Sequence, residues 1–127
     1  MSDRKQLRCT IGSETVRMLN LGHPWVISDR FTSNWPKTAC GSLVELVSEK
    51  GESLGTALCD PGSRIVARRL SSSVVHLDHQ WLTKMLQQAQ VSRSWLDFGD
   101  TNVSRLVNAE GDNLPGLTVD RYADYLM

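Results

Sequence analysis

Turn-forming residues recur about every ten positions between Gly41 and Gly62, and this punctuation restricts what the chain can fold into. Gly41, Glu49-Lys50-Gly51-Glu52 and Asp60-Pro61-Gly62 each interrupt a short apolar run. Runs of that length are too short for ordinary helices and suit antiparallel strands joined by tight turns. Ser42 to Ser48 alternates, with Val44 and Leu46 on one face and Leu43, Glu45 and Val47 on the other. Gly51 can take a positive φ in the turn; Ser53 to Cys59 returns, and Ser63 to Leu70 forms another strand. Upstream, Gln6 to Ile11 reads as a strand, and Ser13 to Asn20 as a short helix that Gly22 stops. Pro24 forces His23 towards an extended conformation, and Trp25-Val26-Ile27 reads as a buried strand. Thr32 to Thr38 is a loop. Residues 5–70 thus hold about five short strands, which suggests a small barrel or a sandwich.

The remainder has a different rhythm. Ser71-Ser72-Ser73 is a polar tripeptide of the kind that links domains. Val74 to Leu77 reads as a brief strand, and Asp78 caps a helix running to about Leu96. Leu82, Met85, Leu86, Ala89 and Leu96 share one helical face, which predicts a core stripe. Trp81 and Trp95 are free to pack elsewhere. A polar loop from Asp97 to Asn102 leads into strands at roughly 104–110 and 116–122, and a third begins at Tyr125. Between them, Leu114-Pro115-Gly116 predicts a type II turn. The expected fold class is mostly β plus α+β.

Charge and cysteine usage exclude several functions. The net charge is zero over 127 residues, which argues against a wholly basic nucleic-acid binder. Residues 1–70, however, hold ten Lys/Arg against seven Asp/Glu, whereas residues 71–127 hold four against seven. The front is therefore mildly basic and the back mildly acidic. Cys9, Cys40 and Cys59 are odd in number and widely spaced, so reduced thiols are expected and no metal site. No apolar run is long enough to cross a membrane, and a cytoplasmic location is expected.

Two motifs carry a family likeness. The first is Gly22-His23-Pro24-Trp25-Val26, followed by Gly41-Ser42-Leu43-Val44-Glu45-Leu46-Val47, Gly51, Ala57 and Ser63-Arg64-Ile65-x-Ala67-Arg68. The second is Glu110-x-Asp112-x-Leu114-Pro115-Gly116-Leu117-x-Val119-Asp120-Arg121-Tyr122. In this order they resemble a family of S-adenosylmethionine-dependent methyltransferases that make 5-methylcytosine in large-subunit (23S) ribosomal RNA. The resemblance implies a PUA-like small β-barrel over residues 1–70, a domain used for RNA binding. It implies an incomplete strand-strand-helix-strand-strand middle domain over residues 71–127, with the catalytic Rossmann-like domain absent. S-adenosylmethionine is then expected for the parent protein, with no cofactor in this chain. No catalytic residue is carried over: Cys9, Cys40 and Cys59 match no nucleophile motif, and no Gly-rich strand-to-helix loop is present. The alternative is a stand-alone RNA-binding module or a protein-binding adaptor without enzymatic activity.

For RNA contact, the candidates are Arg64 and Arg68, which strand alternation puts on one face with Arg69 opposite, together with Lys5, Arg8 and His23. Trp25 either stacks on a base or fills the barrel core, and the apolar run after it favours the core. Arg105, Glu110, Asp112, Asp120 and Arg121 are candidates for lining a substrate channel. Equally, Arg105 or Arg121 holds Glu110 or Asp120 in a structural ion pair. A terminal strand with exposed Tyr125, Leu126 and Met127 would favour self-association through the sheet edge.

Overall fold

The structure is a computed structural model that describes residues 6–96, 99 and 101–127. Lys5 and part of the 97–102 loop lie outside the described residues. The chain divides into two compact units, Met1–Val75 and His76–Met127.

The first unit is one five-stranded sheet, ordered β1-β3-β4-β5-β2. Its strands are β1 (Leu7–Thr10), β2 (Trp25–Ile27), β3 (Leu43–Val47), β4 (Ser53–Cys59) and β5 (Ile65–Ser71). The turns at Gly51 and Gly62, both with positive φ, make β3-β4-β5 an antiparallel meander. β1 adds to β3 in parallel and β2 adds to β5 antiparallel. Cys9 of β1 and Val26 of β2, from opposite edges of the sheet, are fully buried in the same core as Val44, Leu46, Ala57 and Ala67. The sheet therefore curls until its edges share an interior, which suits the expected barrel better than a two-sheet sandwich.

Bulges make that curl possible. Val47 pairs with Ser53 while Leu46 pairs with Gly55, so Leu54 is an extra residue on β4. This shift also buries Val47, which simple alternation had placed outward. Gly55 has φ +104, and a Cβ there would lie 1.9 Å from the Ser71 carbonyl oxygen, so only glycine fits. Thr56, alongside, is wholly buried. Its hydroxyl accepts from the Val75 N–H at 3.0 Å and lies 3.2 Å from Gln6 Oε1. Gln6 Nε2 in turn donates to the Val75 carbonyl at 2.8 Å. The segment 74–77, expected to be a strand, is held by these bonds and forms no ladder.

Helix α1 (Ser13–Asn20) connects β1 to β2. Its Leu19 is buried, and its Glu14 pairs with Arg17 one turn on at 2.6 Å. The end of α1 is dictated by Gly22-His23-Pro24. Gly22 takes φ +97 and its N–H bonds to Leu19, while the His23 N–H bonds to Met18. That pair of bonds is a Schellman cap, and Pro24 then prevents further helix.

The second unit consists of α2 (His79–Ser92) and an antiparallel sheet of β6 (Val103–Asn108), β7 (Thr118–Tyr122) and β8 (Tyr125–Leu126). Asp78 Oδ1 accepts from the Trp81 N–H at 2.8 Å, so the expected cap is present. The helix stops at Ser92, short of Leu96. Met85 and Ala89 are buried with Val107 and Leu114, and Trp81 and Leu86 pack beside them. Leu82 and Leu96, expected in the same stripe, are exposed. The predicted type II turn is present: the Leu117 N–H bonds to Leu114 at 3.0 Å and Gly116 has φ +81. The first signature strand, however, ends at Asn108, and residues Ala109–Asp112 form a 3-10 turn.

Candidate nucleic-acid interface

The register of β2 against β5 sets the chemistry of one outer face. Val26 pairs with Ala67, and both point into the core with no exposure. Trp25 pairs with Arg68 and Ile27 with Ile65, so these four project from the opposite side. Trp25 is 45% exposed and Ile27 40% exposed. This corrects two expectations: only the middle residue of β2 is buried, and Trp25 does not fill the core. Trp35 does pack against it, and its indole N–H donates to the Thr10 carbonyl at 2.7 Å.

Arg64 lies just before β5 and is exposed. Its carbonyl accepts from the Ser28 N–H at 2.8 Å, so the residue follows directly on from β2. Simple alternation from Arg64 to Arg68 does not hold, because Val66 is an extra residue on β5 opposite the Val26/Ile27 step. Both arginines nevertheless flank β2, one at each end. Arg68 reaches Asp60 at 3.9 Å, a loose and half-exposed pair. Arg69 is different. Its guanidinium donates to the carbonyls of Leu54 and Leu19 at 3.3 and 3.1 Å, and burial lowers its pKa, so its role is structural.

Between α1 and β2 lies a cleft of about 350 Å³. Met18, Trp25 and Ile27 supply apolar surface, with His23, Ser28 and Asp29 around them. His23 is exposed, held by the helix cap through its backbone. Asp29 Oδ1 accepts from the N–H groups of Phe31 and Thr32, each at 2.9 Å. Sequence reasoning missed Asp29, although Asp29-x-x-Thr32 carries the composition of a local side-chain-capped turn. Arg8, a candidate for phosphate contact, is occupied locally: it donates to the Gly51 carbonyl at 2.9 Å and sits 3.5 Å from Glu45.

In the second unit the signature charges face each other. Arg105 grips Asp120 through two bonds of 2.7 and 3.1 Å. Arg93, which sequence reasoning did not select, grips Asp112 at 2.9 and 2.7 Å. The Arg93 and Asp112 side chains are only 20% and 8% exposed. Asp112 also accepts from the Asn108 N–H. Each carboxyl is held below its ordinary pKa, first by the hydrogen bond from its arginine. Arg121 donates to the Ala123 carbonyl at 2.8 Å. Glu110, in the 3-10 turn, is half-buried. Arg105 and Asp120 thus form the ion pair offered as one alternative, and Asp112 is engaged in a part-buried pair with Arg93.

The thiols offer no nucleophile of ordinary reactivity in the core. Burial pushes Cys9 up to about 11 and raises Cys59 as well, so both stay protonated near neutral pH. Cys40 is exposed, with Sγ 3.6 Å from Asp60 Oδ1. Among the described residues, no cluster of side chains suits a metal ion, and no helix is long and apolar enough to cross a membrane.

A small curled five-stranded sheet with a helix between its two edge strands defines a fold class, and residues 10–72 match the PUA-like domain family. Over most of its length the chain is similar to the ribosomal RNA large subunit methyltransferases I. That of Cronobacter sakazakii is 37% identical over 107 residues, 83% of this chain and 27% of the relative. That of Vibrio cholerae is 35% identical over 112 residues, 87% of this chain and 28% of the relative. Among solved structures, a Streptococcus mutans protein described as a SAM-dependent methyltransferase aligns with TM-score 0.81 at 26% identity. It covers 94% of this chain and 31% of its own. A second, a methyltransferase complexed with SAH, aligns with the same score. The chain thus spans about a quarter of the length of the curated relatives it matches.

Proposed function

We propose that this chain is the RNA-docking portion of a cytoplasmic methyltransferase that makes 5-methylcytosine in large-subunit ribosomal RNA from S-adenosylmethionine. The observation that carries the reading is Trp25, half-exposed and paired with Arg68 on the outer face of β2 and β5. An exposed indole gives a base a stacking surface, and flanking guanidinium groups give phosphates a partner. Residues 1–70 dock the RNA, and residues 71–127 form a middle domain held rigid by the Arg93–Asp112 and Arg105–Asp120 pairs.

The methyl-transfer step falls to the part of the relatives' length beyond the matched quarter. Among the described residues, the junction of β1 and α1 does not fit S-adenosylmethionine. Gly12, at the junction of β1 and α1, faces the Phe31 ring, 2.5 Å from where a Cβ would stand. Its missing side chain thus serves packing, and no open glycine cradle for a nucleoside cofactor is formed there.

The test is affinity for a ribosomal RNA hairpin across salt concentrations, for the chain and for Arg64→Ala/Arg68→Ala. Docking as proposed gives a salt-dependent affinity whose slope falls in the double variant. An affinity insensitive to salt and to both substitutions sinks the reading. Self-association through β8 belongs to the same reading, since Tyr125 is 77% exposed on that edge strand. Sedimentation that shows a monomer at every concentration removes it.

A further inference from the structure

The α1–β2 cleft has a composition that a general RNA surface does not require. None of the residues lining it is Lys or Arg, although it opens beside a strand flanked by two arginines. Its charged members are Glu14 and Asp29. A phosphate would meet carboxylates there, so the backbone of a bound strand belongs outside, towards Arg64, whose carbonyl is bonded to Ser28 at the cleft wall. What suits the interior is a flat apolar group with a hydrogen-bond donor on its edge.

The two carboxylates are not equivalent. Both oxygens of Glu14 are taken by Arg17, at 3.1 and 2.6 Å. Asp29 is bound through Oδ1 alone, which accepts from Phe31 and Thr32. Those two bonds fix the orientation of the carboxyl group. Among the described residues Oδ2 takes no bond, so Asp29 presents an acceptor with its lone pairs available. Trp25 and Met18 add the stacking surface, and Ser28 and Thr15 supply hydroxyls that can donate or accept.

We infer that this cleft takes one unpaired nucleobase bearing an exocyclic amino group (cytosine, adenine or guanine) and discriminates against uracil. The inference rests on the RNA-docking reading and specifies what that site selects. The amino group donates to Asp29 Oδ2, and the ring stacks on Trp25. Uracil presents a carbonyl at the corresponding position and meets the carboxylate acceptor to acceptor. The selection falls on an unpaired base because a paired base has its amino group engaged and its ring enclosed in the stack.

The experiment uses the whole chain and labelled RNA hairpins of one fixed stem, differing only in a single unpaired loop nucleotide. Cytosine is expected to bind about tenfold tighter than uracil, the range of one good base-edge contact. Asp29→Asn keeps an oxygen for Phe31 and Thr32 and turns an amide NH2 into the cleft, so the preference should reverse towards uracil. Trp25→Ala should weaken all the hairpins alike. Equal affinity for cytosine and uracil in the unaltered chain overturns the inference, as does a cytosine preference that survives Asp29→Asn. Salt-dependent binding without base preference defeats only the base selection. No binding to any hairpin defeats the docking reading with it.

Discussion

Arg93 and Arg105 of the second unit are held differently from Arg64 and Arg68 of the first. In the second unit Arg93 and Arg105 each make a two-pronged grip on an aspartate. In the first, Arg68 lies 3.9 Å from Asp60, opposite the half-exposed Trp25, and Arg64 stands exposed at the other end of β2. A guanidinium locked on a carboxylate contributes rigidity and has few donors left for a ligand. One that stands exposed can meet a phosphate at little cost. The most conspicuous charged motif of the sequence thus lies in the unit whose arginines are gripped by aspartates. The outer face of β2 and β5 carries a weaker signal.

The largest expected effect separates the units outright. Gly55→Ala puts a Cβ 1.9 Å from the Ser71 oxygen at a positive φ. It should destabilise the first unit by more than about 3 kcal/mol and abolish RNA binding. Backbone NMR should show the signals of β6 to β8 intact. If instead every signal collapses, the units do not fold independently.

Next comes Asp112→Ala, which strands the Arg93 charge in a mostly buried place. A loss of about 3 kcal/mol is expected in urea melts, with RNA affinity unchanged. A large loss of RNA affinity with the fold intact would return Asp112 to a substrate channel. Acid sharpens the same point. The folded-state pKa of Asp112 lies below its ordinary value of 3.8, so its stabilisation is complete above that value. It is lost as pH falls through the lower, folded value. Melts between pH 6 and 2 should show a decline below about pH 4 that is shallower in Asp112→Asn.

Trp25→Ala should be nearly silent in stability, because the side chain is half-exposed, and should cost about 1–3 kcal/mol in RNA affinity. A substantial fall in melting temperature would mean that the indole packs more than it binds. The smallest effect is that of Arg64→Ala/Arg68→Ala, a drop of roughly two in the salt slope if both touch phosphates. A drop of one would leave a single arginine at the interface.

Local chemistry was legible in the sequence and long-range registration was not. The Asp78 cap, the Gly51 turn, β4 from Ser53 to Cys59 and the Pro115-Gly116 turn each depend on a few adjacent residues. The exposure of Trp25 depends on which face of β2 turns inward, and that is set by Val26 standing opposite the buried Ala67. Likewise Arg93 and Asp112 meet across 19 positions, a pairing that no local pattern announces. Leu82 and Leu96 had the right spacing for a core face, but the helix ended early and the facing sheet is only three strands wide.

The bonds around Thr56 have a consequence for how such a domain travels between proteins. Gln6, where the described chain enters the first unit, bonds directly to Val75, where it leaves. A domain whose ends are fastened side by side can be spliced into a surface loop of an unrelated host without stretching either one. The buried threonine works as a buckle, and what it closes is a portable cassette.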